Sequence, residues 1–123
     1  MTTVLIADDS ALVRDRLYTA LSDLEDVEVV GQAQSGLEAI ESIRKLKPEV
    51  VILDIRMPSG TGIDVLQNIK NNGCSPIVIV LTNYPFPQYR RKCLDAGADF
   101  FFDKSIEFLK ITEVLKKLSR SFR

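Results

Sequence analysis

The chain has no histidine. That removes the commonest general base and the commonest zinc ligand, so histidine-dependent catalysis and ordinary zinc sites are excluded. Cysteine is nearly as scarce: Cys74 and Cys93 are the only two, and they form no C-x-x-C pair. They read as small buried or half-buried hydrophobes in a reducing cytosol rather than as a disulfide. No apolar run approaches the roughly 20 residues that span a bilayer. The start, Met1-Thr2-Thr3-Val4, has neither a basic n-region nor a cleavable apolar segment, so no secretory signal is read. A cytoplasmic protein without membrane association is therefore expected. An excess of charge is missing as well. The net charge of -1 supplies no global field for nucleic acid or an acidic membrane surface.

What is present is a balanced composition. The 123 residues are 46% apolar and 27% charged, which suits one soluble domain with one core over residues 1–123. No repeat, low-complexity segment or internal linker divides it. Short apolar runs alternate with helical periodicity. Val4–Ala7, Val50–Leu53, Ile77–Leu81 and Phe100–Phe102 are continuous runs, as buried parallel strands are. Val27–Ala33 is more polar and alternating, as an edge strand would be. Ser10 suits the cap of a helix with Leu12, Val13, Leu17, Leu21 and Leu24 on its inward stripe. Ser35-Gly36 opens a second, with Leu37, Ile40, Ile43 and Leu46 on one face, and Pro48 stops it. Ile63, Leu66 and Ile69 mark a third, ended by Asn71-Asn72-Gly73. A short fourth around Tyr89–Ala96 stops at Gly97. Phe108, Ile111, Leu115, Leu118 and Phe122 mark the fifth. Five strands alternating with five helices predict an α/β fold, a doubly wound five-stranded parallel sheet with right-handed crossovers.

Polar residues sit where the strands end. Asp8-Asp9 follow the first run, Asp54 the third, Thr82 the fourth, and Lys104 the fifth. In an open parallel sheet the crevice beyond the carboxyl ends of the strands is where ligands bind. Three carboxylates crowded there repel one another, and a hard cation resolves the conflict. Magnesium takes oxygen ligands, one or two carboxylates plus a phosphate. Beside it an aspartate can attack phosphorus to give an acyl phosphate. Lys104 and the Thr82 hydroxyl can then bind the phosphoryl oxygens. Each residue also has a plainer reading. Asp8 or Asp9 beside Ser10 could be no more than a helix cap. Asp54 could be a turn residue, Lys104 a surface lysine, and Arg90-Arg91-Lys92 a solvated helix face. Their joint occurrence at neighbouring strand ends favours a site.

The set Asp8-Asp9, Asp54-Ile-Arg-Met-Pro58, Thr82 and Lys104, with Gly62 and Ala96-Gly97-Ala98-Asp99, resembles the receiver domain of two-component response regulators over the whole chain. The resemblance implies the flavodoxin-like fold with strand order 2-1-3-4-5. It implies Asp54 as phosphoacceptor, Asp9 as direct Mg2+ ligand, Asp8 contributing through water, and the backbone carbonyl of Arg56 completing the ligands, with Mn2+ as a substitute. Thr82 and Lys104 would bind phosphoryl oxygens, with Thr82 and Phe101 as the switch pair. The implied partners are a sensor histidine kinase or histidine phosphotransfer protein and an unknown downstream protein. Output would pass through an α4-β5-α5 surface that also offers a dimer contact. No direct nucleic-acid contact is implied.

The chain departs from the family pattern in four places. Ser105 stands where a cis-joined Pro usually follows the lysine; without proline a cis bond costs roughly 2.5–4 kcal/mol, and Ser105 suits instead the cap of the last helix. Asn83 replaces a small residue, and Pro85 and Pro87 delay the fourth helix. Arg56 and Tyr84 occupy the two positions that, in the family, influence the lifetime of the acyl phosphate. Phe101 replaces a common Tyr, so inward packing leaves no hydroxyl to satisfy. An enzyme acting on an external substrate is not expected. A phosphatase of the haloacid dehalogenase type needs an Asp two residues after its nucleophile, and here that residue is Arg56. A flavin carrier is disfavoured because Asp8-Asp9 would repel its phosphate. The length points to a stand-alone, chemotaxis-regulator-like switch, the alternative being the receiver part of a longer DNA-binding transcription regulator.

Overall fold

Runs of β-branched and aliphatic residues pair into one parallel sheet. A computed structural model describes residues 1–71 and 76–121, the side chains of 120 and 121 excepted. Among them the strands are β1 (Thr2–Ala7), β2 (Val27–Ala33), β3 (Val50–Leu53), β4 (Ile77–Thr82) and β5 (Phe100–Asp103). The helices are α1 (Ala11–Ser22), α2 (Gly36–Leu46), α3 (Gly62–Asn71), α4 (Pro87–Asp95) and α5 (Lys110–Ser121). The sheet order is β2-β1-β3-β4-β5 and every pairing is parallel, the flavodoxin-like arrangement expected. No helix among the described residues is long and apolar enough to cross a membrane.

Side chains alternate across the strands and build one core on each face of the sheet. Leu5, Ala7, Val51, Leu53, Val78, Val80 and Phe101 pack against α2, α3 and α4. Val4, Ile6, Val50, Ile52, Ile79 and Leu81 pack against α1 and α5. Strands buried on both faces are why their sequences run apolar without a break. Cys93 is a buried free thiol on α4, and burial pushes it up to about 11, so it acts as a hydrophobe. Cys74, Asn72, Gly73 and Phe122 lie outside the described residues.

The helix faces differ from the expected stripes in particular ways. Leu12 is 69% exposed; the inward row of α1 is Val13, Leu17 and Leu21, and Leu12 lies one residue, about 100°, to its side. On α2, Leu37 and Leu46 are largely exposed, while Gly36, Ala39 and Ile43 are buried. Counting large apolar residues overlooks an inward face made of small ones. Phe108 precedes α5 instead of lying on it, though it still packs on the α1/α5 core. Ser105 does not cap α5. Its N–H and hydroxyl both donate to Asp103 Oδ1, at 2.9 and 2.6 Å, closing a turn that delays α5 to Lys110. There are no cis peptide bonds among the described residues. The delayed start of α4 is as expected: Phe86 stands at its N-cap and Pro87 opens it.

The order reverses at β1 and β3. From β1 the chain moves outward to β2, and from β3 it moves the other way, so the loops leaving these two neighbours diverge and open a crevice between them. Two glycines hold the loop after β3 in place. A Cβ on Gly62 would run into the carbonyl of Asp54, and one on Gly36 into the carbonyl of Gly60. The N–H groups of Gly36 and Leu37 donate to Pro58 O and Ser59 O at 3.0 and 2.9 Å, seating that loop on the start of α2.

Gly62→Ala should therefore destabilise the protein by about 1–3 kcal/mol, because the added methyl meets backbone that cannot yield. Gly31→Ala, whose methyl chiefly meets the end of the half-exposed Leu46 side chain, should cost less than about 1 kcal/mol. Urea unfolding of both variants checks the contrast; equal losses would count against the backbone contact as the cause.

Candidate functional site

Each strand end delivers its side chain to the crevice through its own ladder. Asp8 N–H donates to Ala33 O at 3.0 Å and Asp54 N–H to Ala7 O at 2.9 Å. The two aspartates thus extend β1 and β3 by one residue, where the loops diverge. Lys104 N–H donates to Thr82 O at 2.8 Å, which sets the end of β5 beside that of β4. Asp8, Asp54, Thr82 and Lys104 are all buried, whereas Asp9 is exposed.

Asp8 contacts both the start of α1 and the neighbouring strand ends. Its Oδ1 accepts the Ser10 N–H at 2.9 Å, and Ser10 Oγ in turn caps α1 at Val13 N. Its Oδ2 lies 2.7 Å from Lys104 Nζ. The same ammonium is 3.5 Å from Asp54 Oδ2. Oxygens of Asp8, Asp9 and Asp54 lie within 4.8 Å of one another. Among the described residues Lys104 alone ion-pairs with this group, so three carboxylates face one ammonium. Asp54 Oδ1 is buried with no hydrogen-bond partner. An ionised oxygen in that position is costly unless a donor or a cation meets it. The all-oxygen set and the unpartnered atom together fit a hard divalent cation such as Mg2+.

Burial is the main reason the Asp54 carboxyl is pushed up to about 6 from an ordinary 3.8; Lys104 opposes the shift and Asp8 adds to it. Thr82 Oγ1 accepts the Tyr84 N–H at 2.9 Å, which leaves the hydroxyl proton for a ligand. Phe101 packs inward with the α2/α3/α4 core at 6% exposure. The exposed Arg56 lays its guanidinium 4.2 Å from the centre of the Tyr84 ring. All the expected residues therefore meet at one end of the sheet except Phe101, which lies beneath it, and the Arg56 side chain, which rests on Tyr84. Two contacts had no signature in the sequence: Arg14 Nη1 donates to Asp8 O at 2.7 Å, and Arg16 lies 4.4 Å over the Phe108 ring. Both tie α1 to the crevice loops through partners that no periodicity marks.

The response regulator receiver domain family model matches residues 4–116. The transcriptional regulatory protein YvfU of Bacillus subtilis, itself uncharacterised, is 34% identical over 123 residues, all of this chain and 62% of that protein. The chain spans about three-fifths of the length of such curated relatives. The response regulator domain of Thermotoga maritima CheB superposes with a TM-score of 0.86 at 32% identity, covering 98% of this chain and 95% of that one. A chain from the CheX–CheY–BeF3–Mg2+ complex of Borrelia burgdorferi gives 0.83 at 29% identity, covering 98% and 89%.

The raised Asp54 pKa carries a sign. Below about pH 4 the carboxyl is protonated folded or unfolded and costs nothing. As pH rises towards 6 the unfolded chain releases the proton first, so stability falls, and above 6 the full penalty is present. Asp54→Asn should thus stabilise the metal-free protein at pH 7.5 by about 1–3 kcal/mol and make little difference at pH 4. Urea titrations of both proteins at the two pH values test this; a variant no more stable than the wild type at pH 7.5 contradicts it.

Proposed function

This chain belongs to the response regulator receiver domain family, and we propose that Asp54 is its phosphoacceptor. The observation that carries the reading is the unpartnered, buried Oδ1 of Asp54 in a cluster of three carboxylates with a single ammonium. The donor would be a phosphohistidine on a sensor histidine kinase or a histidine phosphotransfer protein. An Asp54 carboxylate oxygen attacks phosphorus and forms the O–P bond. The P–N bond breaks, and its electron pair returns to the imidazole nitrogen, which takes up a proton. The product is an acyl phosphate.

Receiver domains bind Mg2+ at an acidic pocket, and here Asp8, Asp9, Asp54 and the backbone carbonyl of Arg56 would hold it, with Mn2+ able to substitute. When bound, the ion supplies positive charge for the attacking carboxylate and the phosphoryl oxygens. Lys104 leaves Asp8 or Asp54 to meet one phosphoryl oxygen, and the Thr82 hydroxyl donates to another. Thr82 sits on β4 beside Phe101 of β5, paired through Val80↔Phe101 and Thr82↔Asp103. A shift of Thr82 towards the phosphoryl therefore alters the space above Phe101. Phe101 has no polar atom to satisfy, so its inward position costs nothing in hydrogen bonding.

The chemistry stops at self-catalysed phosphorylation and dephosphorylation of Asp54. Arg56 cannot supply the acid/base carboxyl that turnover of an external substrate needs at that position. The changed charge would be read on the α4-β5-α5 surface, by a downstream protein or by a second copy of the chain. Output uses that face in either arrangement, as a stand-alone regulator or as the receiver part of a longer transcription regulator of the kind the Bacillus relative is named for. The receiver domain itself would make no direct nucleic-acid contact.

Intact-protein mass after incubation with Mg2+ and acetyl phosphate, for the wild type and Asp54→Ala, tests the assignment. One added phosphoryl is expected in the wild type only, and none without Mg2+. Equal labelling of the variant would move the acceptor elsewhere, and no labelling of the wild type would leave a scaffold that is never phosphorylated.

A further inference from the structure

Asp9 is the exposed member of the carboxylate cluster, and its backbone is held more firmly than its side chain. Among the described residues no hydrogen bond or ion pair holds its carboxylate. The residues on either side of it are tied. Ser10 N–H donates to Asp8 Oδ1 at 2.9 Å, and Arg14 Nη1 donates to the Asp8 carbonyl at 2.7 Å. That carbonyl belongs to the same planar, rigid peptide group as the Asp9 nitrogen. A donor fixed on its oxygen therefore fixes where Asp9 begins.

The two ties respond differently to a cation. The Ser10 tie ends on an oxygen of the carboxylate cluster, for which a bound divalent ion competes. The Arg14 tie ends on a carbonyl outside that cluster. β1 stops at Ala7, and among the described residues no other donor reaches the Asp8 carbonyl. Arg14 is half-buried in the first turn of α1, its own N–H on Ser10 O at 3.0 Å. Among the described residues it ion-pairs with no carboxylate. A guanidinium aimed at one of the three carboxylates would displace the cation. Aimed at a carbonyl, it makes a charge-assisted hydrogen bond and leaves all three acids to the metal.

We propose that Arg14 is a positioning residue for the cation: through the Asp8 carbonyl it holds the Asp8–Asp9 peptide, and so sets the Asp9 carboxylate in place for Mg2+. This role rests on the metal site proposed above. Charge and position act in opposite directions here. A cationic side chain near the cluster repels a divalent ion, so loss of its charge alone would tighten Mg2+. Loss of its hydrogen bond leaves a peptide that binding must order, which weakens Mg2+.

Mg2+ titrated into the whole chain, followed by amide NMR shifts, separates the two. Arg14→Met should weaken Mg2+ about three- to ten-fold. Arg16→Met removes the same charge from the same helix, but Arg16 lies over the Phe108 ring, and the change should be less than about two-fold. Asp9→Asn should cost about ten-fold or more, and in that background Arg14→Met should add less than about two-fold. Unchanged or tighter binding by Arg14→Met overturns the role. So does an equal loss in Arg16→Met, the mark of a mere brace on α1, or a loss from Arg14→Met that is the same with and without Asp9. The wild type gives a test that does not depend on the variants folding. Its Arg14 guanidinium N–H signals, slowed in exchange by the hydrogen bond, should persist at saturating Mg2+, and their disappearance on saturation also overturns the role. A wild type without Mg2+-dependent shifts, or an Asp9→Asn variant that binds as tightly, would sink the metal reading itself and this role with it.

Discussion

Three carboxylates and one ammonium share the crevice at the carboxyl end of the sheet, and most of the fold serves to hold that imbalance in place. Charges of one sign at such spacing repel strongly where water is scarce. Lys104 meets Asp8 at 2.7 Å and Asp54 at only 3.5 Å, so its compensation is unequal. Asp54 is left with a high pKa and one unpartnered oxygen. A domain selected for stability alone would neutralise or remove that group. Its retention in a buried position is what a site awaiting a cation and a phosphoryl group looks like, since each brings the charge or the donors that the protein leaves out.

Holding like charges together requires backbone that cannot retreat. The ladders fix Asp8 to Ala33, Asp54 to Ala7 and Lys104 to Thr82 through main-chain hydrogen bonds. Relaxation by sliding a strand would break the apolar register on both faces of the sheet. Behind Asp54 the contact with Gly62 leaves no room for the loop to withdraw. The loop itself is seated on α2 through Gly36. Electrostatic strain at the site is thus balanced against packing spread over two cores, which single side chains at the rim could not supply.

The sequence displayed this arrangement unevenly. Strand ends were plain, because doubly buried strands are unbroken apolar runs and the change to Asp, Thr or Lys is abrupt. Hence Asp8, Asp9, Asp54, Thr82 and Lys104 could be placed together before any geometry was known, and the sheet order came with the resemblance they carry. Helix faces were harder to read. The inward side of α2 is Gly36 and Ala39, residues too small to register as apolar, while Leu37 and Leu46 register strongly and face out. The turn at Lys104-Ser105 was also hidden, because Ser105 can cap a helix or close a turn. The choice was made by Asp103 and Glu107, whose carboxylates take the Ser105 and Asp103 N–H groups. Contacts between loops far apart in sequence, such as Arg56 on Tyr84, leave no local pattern at all.

The least securely seated helix is α4, on the face proposed as the output. β1, β3 and β4 are central and buried on both faces, while α2 buries the side chains of Ala39 and Ile43 and α3 those of Val65, Leu66 and Ile69. α4 buries one and begins without a side-chain cap. Elements that change state are drawn from the low-stability end of a structure, because a helix fixed by many buried contacts would need more free energy to move than one phosphoryl group provides. Weak seating alone would leave α4 fluctuating in every state and would carry no signal. A signal requires that its remaining ties depend on the site. One such tie is a guanidinium–aromatic contact, Arg90 of α4 at 5.9 Å from the centre of the Phe101 ring. Phe101 in turn lies on β5 beside β4, the strand that ends in Thr82. If Asp54 is the phosphoacceptor as proposed, charge placed on it would reach α4 through contacts weak enough to be exchanged, while the sheet that carries them stays fixed.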